Sequence, residues 1–277
     1  MKIPYKKKII LTGGNGLLGS NFKKKFSKRF KIISYPYRIE DISKFKKWLK
    51  FRKFDYFIHF ASITRNEEKK YKSKIKIINF DSTQKIIETL NEKVIKHFKF
   101  FLFISSSHVY GHSPKKIKEN NKRNPINEYG KSKKNVEDFI FKNRKKFYFK
   151  IGIARIFNTT GKNQKKGFFI PDMFEKIKKQ SYINNINQYR DFIHIDDVLN
   201  SIKLIIMKEF TNPVNVSSGK KINLIQICRK INKFFFKNRK LYFDQKRRGD
   251  LYGNNNLLKK LGIKKFKNID QIIRSYR

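Results

Sequence analysis

Ile9-Ile10-Leu11-Thr12-Gly13-Gly14-Asn15-Gly16-Leu17-Leu18-Gly19 is the stretch from which the fold is read. An apolar run ends in a turn holding Gly13, Gly16 and Gly19. A helix follows from about Leu17 to Phe26, with Leu18, Phe22 and Phe26 on one stripe. A strand that turns on glycines into a helix is the opening of a parallel α/β sheet. Gly13 permits a tight turn that a Cβ would block, Gly16 lets the backbone approach a pyrophosphate, and Gly19 lets the helix lie close to the sheet. The N–H groups of the first helical turn would then hold the phosphates. The spacing is G-x-x-G-x-x-G, not G-x-G-x-x-G. Three glycines also make a sharp turn with no ligand; the position directly after a strand is what points to a dinucleotide.

The chain's 277 residues suffice for one large core, or a core with a small second lobe. Lys and Arg total 68 against 21 Asp and Glu, a formal charge of +47. Such an excess usually signals nucleic acid or an anionic membrane. Here the lysines are spread along the whole chain between apolar residues, and no segment is a purely basic tail. Lys, Asn, Ile, Phe and Tyr, all abundant, share AT-rich codons. Anionic partners are favoured, and nucleic acid is expected to stick weakly and without specificity. The 28 Phe predict a phenylalanine-heavy core, and an aromatic content of 15% leaves some rings exposed for a subunit interface. The single cysteine, Cys228, excludes an intrachain disulfide and a cysteine metal cluster, and falls on an apolar helical stripe with Ile225 and Ile231. No apolar run reaches the ~18 residues of a membrane span. A strand begins within nine residues of Met1, with no signal-peptide core. The expectation is a cytoplasmic protein without a membrane span.

Phe30–Tyr35 is the second predicted strand. An acid at its end would accept hydrogen bonds from the adenosine ribose of NAD. Ser34, Tyr35, Pro36, Tyr37 and Arg38 stand there instead; Arg38 can meet a 2′-phosphate, which favours NADP. Asp41 either caps the next helix, about Ser43 to Phe51, or contacts adenine through its backbone. The strand Phe54–Ala61 carries His59, read as structural, and ends in Ala61, Ser62, Ile63 and Thr64, small residues suited to passing a cofactor. A long helix over Lys74–Leu90 and a strand over Phe100–Ser105 follow. Ser105-Ser106-Ser107-His108-Val109-Tyr110-Gly111 lies at that strand's C-terminal end, where an open parallel sheet binds ligands.

Pro114–Pro125 reads as a polar loop, Glu128–Phe141 as a helix and Lys150–Phe157 as a strand. After Lys162 the alternation breaks. Helices are expected over Pro171–Lys179, Asp197–Met207, Asn223–Phe235 (capped by Asn223) and Leu257–Leu261. Strands are expected over Ile183–Gln188, Val214–Val216 and Leu241–Phe243, with Arg190–Ile195 extended. The fold class is therefore α/β, a Rossmann-type doubly wound parallel sheet with a small C-terminal α/β substrate lobe. Residues 1–161 form the dinucleotide-binding domain, with 196–212 returning to it, and 162–195 and 213–277 form the lobe.

Tyr129 and Lys133 stand four apart on one predicted helix and share a face. A tyrosine hydroxyl normally titrates near pH ~10. A neighbouring ammonium stabilises the phenolate and makes the phenol a usable acid or base. A serine on the neighbouring strand end can hold the substrate oxygen against Tyr129. Tyr-x-x-x-Lys copies arise by chance in so basic a chain; the order of glycine turn, serine cluster and Tyr129 gives this one its weight.

In that order the sequence resembles the extended short-chain dehydrogenase/reductase family of NAD(P)-dependent nucleotide-sugar epimerases, dehydratases and reductases. Thr12–Gly19 resembles its T-G-x-x-G-x-x-G, Phe57–Ala61 its H-x-A strand, and Asn79–Thr83 its N-x-x-G-T, with Ser82 in place of glycine. Ser105–Gly111 resembles S-S-x-x-V-Y-G, Tyr129–Lys133 the catalytic Y-x-x-x-K, and Arg155–Gly161 R-x-x-N-x-x-G. Arg190–Asp197 resembles R-D-F-x-x-V-x-D and Arg247–Asp250 the late R-x-G-D.

The resemblance implies Tyr129 as acid/base, Lys133 as its activator and ribose anchor, and Ser106 as the catalytic serine. It implies a dinucleotide held by Gly13, Asn15, Gly16, Leu17 and Leu18, by Arg38, Asp41 and Ile42 at the adenosine end, and by Phe60, Ala61, Ser62 and Ser105 further along. Ser106, Ser107, His108, Asn158 and Arg247 would meet a nucleotide-diphosphate sugar, Arg247 as a clamp on the diphosphate. Arg190 would instead tie the lobes through Asp197. No metal ligand set is expected. A homodimer is implied.

Departures from the pattern narrow the reaction. The sugar 4,6-dehydratases carry an Asp-Glu pair where this chain has Ser107 and His108, which disfavours dehydration, with His108 left as a possible base. Enzymes that epimerise at C3 and C5 and then reduce use a histidine just before an Ile-Pro-like pair; here Phe169 precedes Ile170-Pro171. The expectation is an epimerase acting by transient oxidation at one carbon, C4. The alternative is an NADPH-dependent 4-keto-sugar reductase, and below it a non-catalytic dinucleotide-binding protein.

Overall fold

The computed structural model describes residues 6–92, 98–162, 164–244 and 246–276. The other positions within the domain ranges expected from the sequence lie outside the described residues. The chain divides into two compact units. The first holds Met1–Val109, Pro125–Arg155 and Ile202–Pro213, and the second Tyr110–Asn124, Ile156–Ser201 and Val214–Arg277.

In the first unit β1 (Lys8–Thr12) runs into α1 (Leu17–Phe26), as the opening stretch predicts. β2 (Lys31–Ser34), α2 (Ile42–Leu49), β3 (Tyr56–His59), α3 (Ser82–Leu90), β4 (Phe100–Ser106), α4 (Glu128–Asn143) and β5 (Lys150–Ile156) continue the alternation. The strands lie in the order β2-β1-β3-β4-β5. Pairing is parallel, with Ile10 opposite both Ile33 and Phe57, and Phe57 opposite Phe101. The core is rich in phenylalanine, as expected. Phe57 and Phe101 are fully buried and stack with ring centres 5.5 Å apart. Phe45 and Leu49 of α2, Ile86 and Leu90 of α3, and Val136 and Ile140 of α4 cover them. Each such side chain contributes roughly 1.5–3 kcal/mol by leaving water. α1 packs elsewhere, with Phe22 against Phe26 and Phe60.

The expected helix over Lys74–Leu90 is present but not uniform. It follows a 3₁₀ turn at Lys72–Lys74, is α-helical at 75–76, widens into a π-helical turn at Ile77–Asp81, and is α-helical again over Ser82–Leu90. Ser82 donates its hydroxyl to Ile77 O, five residues back, which supports the wide turn. Such turns cluster where a side chain must be re-aimed, and here Asn79 is the side chain aimed inward.

The second unit holds β6 (Asn158–Thr160), α5 (Phe169–Lys178), β7 (Tyr189–Arg190), β8 (Phe192–His194), the start of α6 (Ile195–Met207), β9 (Pro213–Val216), β10 (Ile222–Asn223), α7 (Leu224–Phe235), α8 (Asn256–Leu261) and α9 (Ile269–Arg274). β9 completes the sheet order β2-β1-β3-β4-β5-β9, and β6–β8 and β7–β10 form two small sheets. Cys228 is buried in this unit's core with Ile177, Ile227 and Ile231, and Asn223 caps α7 by accepting from Ile225 N.

Two expected strands shrink to one bridge. Ile183 pairs with Phe243, and the rest of Ile183–Gln188 and Leu241–Phe243 is irregular, because their apolar residues fill the core without a partner ladder. The expected loop Pro114–Pro125 also carries a bridge, Ile117 to Gly253, with Ile117 buried. α9 was not anticipated, although Asn268 and Gln271 cap each other's backbone N–H in a box that is readable in sequence. Among the described residues no helix is long and apolar enough to cross a membrane, and no cluster of His, Cys, Asp and Glu could hold a metal.

Candidate functional site

The glycine turn forms a cradle. Gly13 sits at φ +68°, and a Cβ there would lie 2.6 Å from Ala61 N. Gly16 N donates to Gly13 O at 3.1 Å and closes the turn. A Cβ on Gly19 would come 2.3 Å from Gly13 O, so the helix lies directly against the turn. Gly16 starts α1 with no side-chain cap and no acid in the first turn. The N–H groups at Leu17 and Leu18 therefore have no carbonyl partner within their own helix and point a positive end outward. A Cβ on Gly16 would meet only Gly13 O, at 3.3 Å, which leaves its backbone approachable. Asn15 is exposed beside it. These residues fit a diphosphate. Gly14, given no role from the sequence, packs on Ser34: a Cβ would fall 1.8 Å from the serine hydroxyl.

At the end of β2, Tyr35 turns inward, 4% exposed, with its ring edge-on to Phe45 and Trp48 at 5.2 Å each. Burial pushes its pKa up to about 12. Arg38 is exposed and its Nε lies 3.1 Å from Glu40 Oε1. Glu40 is thus an acid paired with the guanidinium at this end of the sheet, a residue to which the sequence assigned no part. Asp41 is a cap, accepting from Lys44 N at 3.0 Å, and Ile42 opens α2 behind it.

His59 is structural, as expected, and buried between Thr12 and Thr83, each 2.9 Å from a ring nitrogen. Thr83 donates to Asn79 O at 2.9 Å, so it accepts from His59 Nε2–H. Nδ1 then accepts from Thr12, whose oxygen takes Ala61 N–H at 3.3 Å. Burial, then the charge of Lys133, lowers the His59 pKa to about 3. Asn79 clamps both backbone groups of Ile63, at 2.8 and 3.0 Å, and donates to Ser132 Oγ at 3.1 Å. Ser132 donates to Tyr129 O at 2.8 Å. One buried polar chain therefore connects the β1 turn and the Ala61–Ile63 segment to the first turn of α4. Ser62 bonds Ile63 O, and Phe60 is half-buried against Phe22.

Ser106 ends β4 and Tyr129 is the second residue of α4, and the Ser106 hydroxyl lies beside the phenol. Ser106 Oγ accepts from His108 N at 3.3 Å, so its own hydrogen is available to the phenol oxygen. Burial raises the Tyr129 pKa, and the neighbouring Ser106 hydroxyl opposes this only in part. This corrects the expectation that Lys133 would pull the phenol down. Lys133 is 2% exposed, donates to Ile104 O at 2.9 Å, and lies 5.9 Å from the Tyr129 ring centre. Its own pKa falls to about 7 through burial, with Glu137 acting against the fall. A partly neutral amine stabilises a phenolate weakly.

The His108 ring stands edge-on to Tyr129 with ring centres 5.7 Å apart. Asn127 caps α4 by accepting from Gly130 N, which turns its amide N–H to His108 Nδ1 at 3.1 Å. Nδ1 is therefore an acceptor and Nε2 carries the proton. Ser105 and Ser107 are buried. The Ser105 hydroxyl is committed to Glu137 Oε1 at 2.6 Å, which leaves its backbone for any cofactor contact. Glu137 also takes Arg155 through Nε at 3.0 Å and Nη2 at 2.7 Å, a fully buried pair.

In the second unit, Asn158 donates through Nδ2 to Asp191 O at 3.0 Å. Arg247 donates through Nη2 to both oxygens of Asp250, at 2.7 and 2.8 Å. Arg190 does not reach Asp197. Its guanidinium holds Tyr189 O at 2.8 Å, Gly249 O at 2.7 Å and the Gln188 side chain, while Asp197 accepts from Lys267 N. The buried Asp191 carboxylate takes Ser218 N and Oγ, Gly219 N and Gly253 N, and burial raises its pKa to about 6.

The model of the NAD dependent epimerase/dehydratase family matches residues 9–224. The chain belongs to that family. A curated relative, GDP-6-deoxy-D-talose 4-dehydrogenase of Aggregatibacter actinomycetemcomitans, is 25% identical, covering 79% of this chain and 77% of its own length. The chain spans only 51–61% of the length of four other curated relatives it matches. Among solved structures, RMD from Pseudomonas aeruginosa complexed with NADPH superposes with a TM-score of 0.84 at 22% identity, covering 98% of this chain and 97% of that one. UDP-glucose 4-epimerase from Thermotoga maritima with UDP-glucose gives 0.85 at 17% identity, covering 97% and 96%. At these identities the superpositions establish the fold. As an epimerase/dehydratase family member the chain has a parallel six-stranded sheet with flanking helices. Its members are NAD(P)-dependent epimerases, dehydratases and reductases acting on nucleotide sugars.

Four contributors escaped the sequence: Asn127, the Asn79 amide clamp, the Thr12–His59–Thr83 chain and Glu137 with Arg155. Asn127 had a readable signal, as an Asn directly before a helix, and Asn79, Thr83 and Arg155 stood in quoted motifs without their partners being readable. The others are buried polar groups whose partners lie far along the chain.

Proposed function

We propose that this protein is an NAD(P)-dependent nucleotide-sugar epimerase that acts at one carbon, C4, through a transient ketone. The carrying observation is the placing of Ser106 at the end of β4 and of Tyr129 in the first turn of α4, its ring centre 5.7 Å from that of His108, with Ser106 followed in sequence by Ser107 and His108 and not by carboxylates. That set can move one proton on one oxygen. It lacks the acid pair that would strip a carbon-bound proton and expel water.

NAD(P), when bound, supplies the acceptor and donor of the hydride. Ser106 holds the sugar oxygen, and Tyr129 takes its proton as the carbonyl forms and returns it as the alcohol re-forms. Tyr129 lies in the first turn of α4, where the helix N-terminus favours the phenolate against the burial that disfavours it. Lys133 is assigned to the ribose hydroxyls, for which it must exchange Ile104 O. The glycine cradle holds the pyrophosphate. Arg247 and Asn158 are assigned to the nucleotide-diphosphate sugar.

The second reading, an NADPH-dependent 4-keto-sugar reductase, has its own support. A phenol whose pKa is raised rests protonated, ready to give a proton to a keto oxygen, and Arg38 offers a guanidinium to a 2′-phosphate. The test is incubation with UDP-, GDP-, ADP- and dTDP-hexoses and their 4-keto forms, with products resolved by proton NMR. A C4 epimer formed without net consumption of cofactor supports the first reading. Stoichiometric NADPH oxidation with a 4-keto sugar supports the second. Turnover of none of these compounds overturns both.

A further inference from the structure

Three cations surround one carboxylate in the second unit. Asp250, 4% exposed, accepts both hydrogen bonds from Arg247 and one from Tyr189 N at 3.0 Å. Lys221 Nζ lies 3.4 Å from Asp250 Oδ2. Arg190, held on Gly249 O, feels the same carboxylate. The antiparallel pairing of β7 with β10, Ile222 opposite Arg190 and Asn223 opposite Tyr189, sets Lys221 beside Tyr189. Its ammonium lies 4.5 Å from the Tyr189 ring centre and 5.0 Å from that of Tyr252, and the Arg247 guanidinium lies 5.3 Å from Tyr189.

Two consequences follow. Three positive charges against one negative leave an excess of two. Lys221 and Arg247 also keep 40% and 51% of their side chains exposed, so that excess is open to a ligand. The tyrosine faces and Asp250 fix both cations before any ligand arrives, which lowers the ordering cost of binding. A guanidinium grips a phosphate as a fork, whereas an ammonium acts as a point charge. A fork and a point charge over one ring suit two linked anionic groups better than one.

We propose that Lys221 is a specificity residue that takes the second phosphate of a nucleoside diphosphate while Arg247 takes the first. This rests on the nucleotide-sugar reading above. Lys221 thereby favours diphosphates over monophosphates, since the second phosphate brings the additional negative charge that the second cation takes.

Calorimetry with UDP, GDP, ADP and dTDP, each against its monophosphate at fixed low ionic strength, tests this. For the best-bound base, wild type favours the diphosphate. Lys221→Met loses about tenfold or more of that preference, the loss expected for one charge-assisted contact. Lys221→Arg keeps most of it, and thermal melts show both variants folded. An unchanged preference in Lys221→Met overturns the role of Lys221 while leaving the nucleotide-sugar reading standing. A wild type that prefers none of the four diphosphates overturns the role and counts against that reading as well.

Discussion

The Asn79 side-chain nitrogen donates to the Ser132 hydroxyl across 3.1 Å and also to Ile63 O, while the amide oxygen accepts from Ile63 N. Through Ser132, which bonds Tyr129 O, the amide fixes the turn of α4 from which the phenol proposed as acid/base projects. Asn79→Ala strands a buried N–H and a buried carbonyl at Ile63, each costing about 1–3 kcal/mol. Urea unfolding should show a loss of about 2 kcal/mol or more. Turnover at a temperature where the variant is folded should fall as well, because Tyr129 is less firmly placed. A fully active variant would separate this network from catalysis.

Tyr129→Phe removes the phenol proton that is proposed to pass to and from the sugar oxygen. Turnover should drop ~10²-fold or more, as for other positioned acid/base groups. Ser106→Ala should lower turnover too, since it leaves the phenol without its partner. NAD(P) affinity, followed by fluorescence, should be unchanged in both, because the cradle at Gly13–Leu18 is untouched. Wild-type turnover in Tyr129→Phe would remove the residue from the mechanism.

Much of this site was legible because it is periodic or local. The turn at Gly13 and Gly16 follows an apolar strand, and the spacing of Tyr129 and Lys133 matches one helical turn. The π-helical turn at Asn79 was not legible, since Ile77, Ile78 and Phe80 continue a plausible helical pattern. Lys133 was placed on the correct face, but its burial depends on Phe103 and Ile104 of a neighbouring strand. The charge state that spacing suggested is therefore altered by packing that spacing does not record. Arg155 was readable as part of a motif, while its partner Glu137, eighteen residues earlier, looked like one more acid on a charged helix.

His59 should shape the acid limb of stability. Its folded pKa of about 3 lies below the ordinary 6.5. Between those values the unfolded chain takes up a proton that the folded chain refuses. The contribution is therefore complete above pH 6.5 and lost as pH falls toward 3. In urea titrations at several pH values, the advantage of wild type over His59→Asn should shrink steadily across that window. A constant advantage would mean that the imidazole protonates without cost in the fold.

Glu137 and Arg155 form a buried pair completed by Ser105. Removing one partner leaves the other charged and enclosed, a loss of about 3–5 kcal/mol. Glu137→Gln should therefore be strongly destabilising. Double replacement with apolar residues, Glu137→Leu with Arg155→Met, should recover much of the loss. Thermal unfolding of the three variants checks this; a double variant no better than Glu137→Gln would show that the hydrogen bonds matter beyond the charges.

Cofactor choice should turn on Arg38 and Glu40, whose side chains meet at 3.1 Å. As the pair stands, Glu40 competes with any 2′-phosphate for the guanidinium, and Arg38 competes with a ribose hydroxyl for the carboxylate. Both side chains reach solvent, so the pair itself adds little to stability. Glu40→Gln frees the guanidinium and removes a charge repelling the phosphate; kcat/KM for NADP(H) over NAD(H) should rise. Arg38→Ala should lower the same ratio, by about tenfold if one charged contact to the phosphate is lost. Ratios that move together in both variants, or not at all, would place the adenosine ribose away from this pair and leave Ser34 and the Asp41 backbone as the groups to test next.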